Sequence, residues 1–429
     1  MSTPDTIFVD VTELAVLDLR TGIQRVVREL LEHGLQGAAS VPVIPVIAVG
    51  RRFHELSEAG WQRIRSPGSG VSERQITHER GVNSLVRLGK RIAKSHAGGY
   101  NFLQRRYVRR NIRKGRGREL YRPEPVIIGA GSALVLADAF WGGSSTLDAA
   151  RTAHEAGAHV VLVVHDLIPM SHPQFCDYRL VHKFEGLMRR AVAVSDSVLA
   201  NSEYSAASFH KVFPRIEATS FPLGHSPQDG GAIPANAWAE ELWDGDDRVF
   251  MIVGSIEPRK GHQAVLDAFE RRWARGSRDK LLIIGKVGWE VGELMDRIDH
   301  HAEAGRRLFH VHNATDAMLT DALDHADAGI IAAYVEGFGL PLVECLAAGL
   351  PVVVSDIPVF HEIAGESALY FEPGDAVALD EAIERLHAGY AQQAARARAF
   401  AWPDWHEAAC VFYAKVEECA RGHVAPRLS

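Results

Sequence analysis

A chain of 429 residues has room for two or three domains, and 47% hydrophobic with 24% charged residues is the make-up of an ordinary globular protein. A net charge of −7 excludes the basic signature of a general nucleic-acid binder. The four cysteines form no Cys-x-x-Cys pair, which argues against a zinc ribbon or a disulfide framework and suits a reducing cytoplasm. The first residues, MSTPDTIFVD, lack a basic and then apolar leader, and no apolar run is long enough to span a bilayer, so a cytoplasmic protein is expected.

In chain order, IFVDVTEL (7–14) reads as a strand and is followed by a helix from about Ile23 to Leu35. VPVIPVIAVG (41–50) is apolar but carries Pro45, which predicts an edge or irregular strand. PVIIGAG (125–131), HVVLVVHD (159–166) and SVLANS (197–202) are further strand candidates separated by helical stretches. The segment 225–247 is rich in Gly, Pro and acids and reads as a linker. Beyond it the alternation is regular: VFMIVGSI (249–256), a helix over Gln263–Arg275, KLLIIGKV (280–287), LFHVH (308–312), a helix over Asp316–His325, AGIIAA (328–333), a helix over 341–348, PVVVSD (351–356) and ALYFE (368–372). Continuous apolar strands alternating with helices predict an α/β chain of two doubly wound, Rossmann-like domains, with ligands outside the carboxyl ends of the strands. The expected divisions are 1–235, 246–400 and a C-terminal amphipathic helix within 401–429 that packs back on the first domain or simply caps the second.

The chemistry concentrates in VEGFGLPLVECLAAGLP (335–351). Glu336 and Glu344 are separated by seven residues that include Gly337, Gly339 and Pro341. Pro341 fits the first position of a helix and Gly349 the position just past its end. The amides near Phe338, Gly339 and Leu340 then lie at the positive end of a helix dipole, a natural anion site. Glu344, placed in the first turn, has two oxygens able to accept from a vicinal diol such as a ribose. Upstream, GSIEPRKGH (254–262) sets Arg259 and Lys260 after a strand end, where they can neutralise a phosphate. Lys286, in GKVGW (285–289) after the next strand, is a weaker candidate of the same kind.

EGFGLPLVE with GSIEPRKG resembles the nucleotide-sugar site of glycosyltransferase family 4, retaining enzymes of the GT-B fold, in which two Rossmann-like domains face each other across a cleft. The likeness continues through 349–375, and FVDVTEL…RTGIQRVVREL (8–30) and VVHDLIP (163–169) are similar to the family's bacterial polysaccharide and O-antigen mannosyltransferases. The resemblance implies that Arg259 and Lys260 hold a diphosphate, that Glu344 binds ribose and that Glu336 contacts the donor sugar. It implies that Gly22 borders the diphosphate and acceptor, and that His165 sits by the anomeric carbon. Taken alone, His165 reads equally as a satisfied strand-end histidine, and Asp166 as a group that orients its neighbours. Ser255 stands where many members carry Arg, so Arg259 is left to supply that charge, and Ala332-Ala333 stand where many have Pro-Ser.

The implied activity is retaining, metal-independent transfer of a hexose. The expected donor is GDP-mannose, with GDP-rhamnose or a UDP-sugar as alternatives, and the acceptor is a growing saccharide or a lipid-linked one. No cofactor is expected. The competing class is a non-catalytic GT-B scaffold in a polysaccharide-assembly complex. Residues 84–122 form a dense basic segment with interleaved apolar groups. Two readings stay open for it: a solvated insertion, or peripheral contact with the anionic inner face of the cytoplasmic membrane. No nucleic-acid module accompanies it.

Overall fold

The computed structural model describes residues 3–16, 21–65, 118–142, 145–226 and 238–421. The basic segment therefore lies outside the described residues, except for its last positions, 118–122. The chain forms two compact units: residues 1–224 together with 403–429, and residues 225–402.

The first unit carries an eight-stranded sheet in the order β4-β3-β2-β1-β5-β6-β7-β8. Its strands are β1 (Thr6–Asp10), β2 (Val43–Val49), β3 (Arg52–Leu56), β4 (Tyr121–Val126), β5 (Ser132–Leu136), β6 (His159–Val164), β7 (Ser197–Ala200) and β8 (Ala218–Ser220). From β2 through β1 to β8 every pairing is parallel, and β3 and β4 add antiparallel at one side.

Three sequence expectations are corrected here. Residues 12–14 leave the strand and open a short helix, Thr12–Val16, because the Thr12 amide turns back onto the Asp10 carboxylate (3.2 Å) and the Leu14 amide onto Asp138 (2.7 Å). β2 is an interior strand despite Pro45: its pairing with β3 begins only at Val46, so the missing N–H falls before that ladder. PVIIGAG is not one strand; its first two residues end β4, Ile127 is 90% exposed, and β5 begins at Ser132 after a turn at Gly131.

The second unit is a six-stranded parallel sheet in the order β11-β10-β9-β12-β13-β14. Its strands are β9 (Val249–Val253), β10 (Lys280–Ile284), β11 (Leu308–Val311), β12 (Ala328–Ile331), β13 (Val352–Ser355) and β14 (Ala368–Phe371). Helices cover the faces, so the central strands are buried on both sides and read as unbroken apolar runs. The sequence runs outward from β9 to β10 and β11, then crosses back to β12 on the other side of β9. That reversal is the place where such sheets bind ligands.

The helix Trp405–Arg421 belongs to the first unit. It buries Trp405, Ala408, Ala409, Phe412, Tyr413 and Val416, one helical stripe, and packs on the helix Gly22–His33. The Tyr413 hydroxyl donates to the Leu30 carbonyl (3.0 Å), and Glu417 accepts from both the amide and the hydroxyl of Ser40 (2.9 and 2.7 Å). No described helix is long and apolar enough to cross a membrane.

Candidate active site

Because β9 and β12 are neighbours, the loops that leave their carboxyl ends lie side by side. The loop after β9 makes a single 3-10 turn, Pro258–Lys260, and closes on Gly261 at φ +71°, which starts the helix His262–Ala274. A Cβ on Gly261 would come within 2.1 Å of the Ala332 carbonyl, so only glycine lets the two loops approach this closely. The Tyr334 amide donates to the Arg259 carbonyl (2.8 Å), and Arg259 Nη1 donates to the Val335 carbonyl (3.4 Å). The loop after β10 joins from the other side: the Ile256 amide donates to the Lys286 carbonyl and the Gly288 amide to the Ile256 carbonyl (2.8 Å each).

Arg259, Lys260 and Glu336 meet at this crossing. Glu336 Oε2 pairs with Arg259 Nη1 (2.9 Å), and Glu336 Oε1 with Lys260 Nζ. Burial pushes the Glu336 carboxyl up, yet the two cations outweigh it and hold it below its ordinary range. A fourth member, Glu257, was not singled out in the sequence. It is 3% exposed, pairs with Arg259 Nη2 (2.9 Å) and accepts from the Ser255 hydroxyl (3.1 Å). Burial raises its carboxyl above the ordinary value against the opposing pull of Arg259 and Lys260. Its signal in the sequence was its place beside the two cations, at the end of a buried strand, where their charge needs neutralising. His262 follows directly. Neither of its buried ring nitrogens has a partner among the described residues, and burial, with Lys260 and His310 adding, drives its pKa down to about 3.

The glycine-rich turn leads into the helix Leu340–Ala347. Gly339 caps it at φ +112°, where an added Cβ would lie 2.8 Å from the Phe360 ring. The helix ends in a Schellman arrangement, with Gly349 donating to Leu346 and Leu350 to Cys345 (2.9 Å each). Two positions differ from expectation. The helix begins one residue earlier, so Pro341 is its second residue, and Glu344 falls in the second turn rather than the first. The amides of Phe338, Gly339 and Leu340 have no partner among the described residues, while the Phe338 side chain is buried against Trp402. Gly339 and Leu340 thus present backbone, and Glu344 lies a turn further along, partly buried. The Lys286 side chain is exposed and pairs with no described acid; Ser255 is exposed as well.

Gly22 and His165 belong to the first unit. Gly22 opens the helix Gly22–His33 behind Thr21. His165 follows β6, is 5% exposed and donates from Nε2 to the Ala137 carbonyl (2.7 Å). Burial holds its pKa below the ordinary value, so it is a neutral imidazole whose Nε2 proton is committed. Next to Ala137, Asp138 accepts from the Leu14 and Ala139 amides (2.7 Å each), and burial and then Glu13 raise its pKa to about 7.

Residues 236–400 match the family Glycosyl transferases group 1. These residues are a group 1 glycosyltransferase domain. The domain holds the whole Glu257–Arg259–Lys260–Glu336 crossing and the Leu340–Ala347 helix. Over 430 residues the chain is 30% identical to the serotype-specific mannosyltransferase WbdA of Escherichia coli, which covers 94% of this chain and 44% of that protein. It is 28% identical over 225 residues to the O-antigen chain mannosyltransferase RfbU of Salmonella typhimurium, covering 52% of this chain and 60% of that one. The chain thus spans less than half the length of the WbdA proteins it matches.

Among solved structures it is similar to an α,α-trehalose-phosphate synthase (UDP-forming) from Burkholderia vietnamiensis, with TM-score 0.59, 14% identity and 99% of each chain covered. It is also similar to a sucrose-phosphate synthase from Thermosynechococcus elongatus, with TM-score 0.57, 17% identity and 97% and 96% covered. At such identities the likeness shows the fold, and that fold is GT-B.

The chain contains one Asp-x-Asp string, Asp244-Gly245-Asp246. It lies ahead of β9, where the Glu241 and Asp244 carbonyls accept from Lys280 Nζ (2.6 Å each). Among the described residues, no cluster of His, Cys, Asp or Glu is arranged to hold a metal ion.

Proposed function

We propose that the chain transfers a mannosyl residue from GDP-mannose to a saccharide or lipid-linked saccharide acceptor, with retention of anomeric configuration, in the synthesis of a surface polysaccharide. The observation that carries this is the cationic pair Arg259 and Lys260, held at the topological switch of a glycosyltransferase domain beside a helix start with open amides. Mannose as the sugar and O-antigen-like polysaccharide as the product are carried over from the names of the mannosyltransferases it matches, and GDP as the carrier from the resemblance of its motifs to that family.

The chemistry follows from the charges. The bond from the anomeric carbon to the diphosphate oxygen breaks, and negative charge grows on the departing GDP. Arg259, Lys260 and the Phe338–Leu340 amides stabilise that charge in a site already arranged for it. The acceptor hydroxyl attacks from the face the phosphate leaves, and its proton passes to the departing phosphate oxygen. Glu336 turns its carboxylate to the sugar and supports the positive charge at the anomeric carbon, and Glu344 holds the ribose. His165, with Nε2 committed to Ala137, offers only Nδ1 as an acceptor to a sugar hydroxyl. The cations supply the charge that a divalent metal supplies elsewhere, so the transfer is metal-independent. The described part of the protein works as a peripheral or cytoplasmic enzyme facing its acceptor.

A thermal-shift screen of GDP- and UDP-sugars, followed by transfer assays on the best ligand, tests this. Stabilisation by GDP-mannose and release of GDP on adding a mannose-terminated acceptor are expected. A response to UDP-sugars alone replaces the donor, and no response to any nucleotide sugar removes the function.

A further inference from the structure

The two cations assigned to the diphosphate are already occupied in the ligand-free protein, and by two carboxylates. Both terminal nitrogens of Arg259 are committed, Nη2 to Glu257 and Nη1 to Glu336 and the Val335 carbonyl. Glu257 and Glu336 against Arg259 and Lys260 make a neutral quartet. A nucleotide-sugar diphosphate adds two negative charges to it. A phosphate that chelates the Nη1/Nη2 edge of the Arg259 guanidinium displaces Glu257, Glu336 or both from that nitrogen pair.

The two acids are not equal in this exchange. Glu336 keeps Lys260 when Arg259 turns away. Glu257 does not have that reserve: among the described residues Arg259 is the one cation in contact with it, Lys260 acting only at longer range. The other groups facing Glu257 are the Ser255 hydroxyl, which bonds to it, and Glu336, whose like charge opposes it. From the loop after β10, Gly288 lies so close that a Cβ there would come within 3.2 Å of the Glu257 Cβ, which walls the acid in. A carboxylate left in such a site without its cation is costly, and taking a proton removes the cost.

We propose that binding of the nucleotide sugar is coupled to uptake of one proton by Glu257. The diphosphate takes over Arg259, and the stranded carboxylate takes a proton from solvent and stays as the neutral acid beside the Ser255 hydroxyl. The quartet with its ligand then carries one negative charge instead of two. The coupling rests on the assignment of a diphosphate donor to this site.

The sign follows from linkage. The bound state holds more protons than the free state, so affinity falls as pH rises, by at most tenfold per pH unit for one proton. The window lies between the Glu257 pKa of the free protein, already raised by burial, and its higher value in the complex.

Calorimetric titration of the full chain with GDP-mannose, in buffers of different ionisation enthalpy at fixed pH, counts the protons. The diphosphate of a nucleotide sugar is fully ionised throughout the range, so any uptake belongs to the protein. The wild type is expected to take up as much as one proton per donor bound, Glu257→Gln to take up none and lose the pH dependence of affinity, and Glu336→Gln to keep it. Binding without proton uptake in the wild type overturns the coupling while leaving the donor assignment intact. So does uptake that persists in Glu257→Gln, or that disappears in Glu336→Gln instead. If neither GDP-mannose nor a UDP-sugar binds, the donor assignment fails and the coupling falls with it. A Glu257→Gln chain that does not fold leaves the wild-type proton count and the Glu336→Gln control to decide.

Discussion

Lys260 and Glu336 are 76 residues apart in sequence and form an ion pair at the crossing of two strand-end loops, with Arg259 closing on the same carboxylate at 2.9 Å. The acid expected to face the sugar and the cations expected to face the diphosphate are therefore one unit before any ligand arrives. On the proposed function Glu336 has two jobs in sequence: it neutralises both cations in the free protein, and it faces the sugar, with Lys260 still beside it, once the diphosphate has claimed Arg259.

Glu336→Gln separates those jobs. Removing the charge frees Arg259 and Lys260 for phosphate, so donor affinity measured by calorimetry is expected to hold or rise. Turnover loses the carboxylate opposite the anomeric carbon and is expected to fall by about 100-fold or more. Equal losses in affinity and turnover would show that Glu336 serves binding alone.

Arg259→Ala removes the shared cation and leaves Glu257 and Glu336 to repel each other in a buried site. Stability in chemical denaturation is expected to drop by about 3 kcal/mol, together with donor affinity. In Glu257→Gln/Arg259→Ala the stranded charge is gone, so part of the stability should return while affinity stays low. Recovery of both would mean that Arg259 does not touch the donor.

Chelation of divalent metal probes the charge balance from another side. Turnover in excess EDTA is expected to match that of the untreated enzyme, because the cations beside the departing phosphate are side chains. Loss of activity that returns with magnesium or manganese would assign part of that charge to a metal.

The C-terminal helix gives a prediction on stability. Tyr413→Phe removes one of two donors to the buried Leu30 carbonyl, which keeps the Gly34 amide, and is expected to cost about 1 kcal/mol. Gly34→Ala should cost more, since an added Cβ would sit 2.3 Å from the Tyr413 oxygen. Thermal melts of both variants check the order, and unchanged melts would detach this helix from the stability of the first unit.

Much of the second unit was legible because its strands are buried on both faces and read as plain apolar runs; VFMIV, KLLII and VVVS all form strands. β3 and β4 were not, since RFHEL and YRPEPV are short antiparallel additions rich in charge and proline. The site residues were recognisable as types: a cation pair after a strand and a glycine turn before a helix. Their contacts were not, because the approach of Lys260 to Glu336 depends on β9 and β12 being neighbours, a matter of strand order. Glu257 was passed over for a related reason. It stands beside Arg259 in sequence, but its burial, and with it the need to count charge inside the fold, appears only once the loops are closed by Gly261 and Gly288.

Transfer of mannose from GDP-mannose with retention, driven by Arg259 and Lys260, is the function proposed for this chain. Proton NMR of the reaction with a mannose-terminated oligosaccharide tests it most directly, following the anomeric signal of the product. An α-linked mannosyl product and free GDP are expected with the wild type, and neither with Lys260→Ala. A β-linked product, or full turnover in Lys260→Ala, would contradict it.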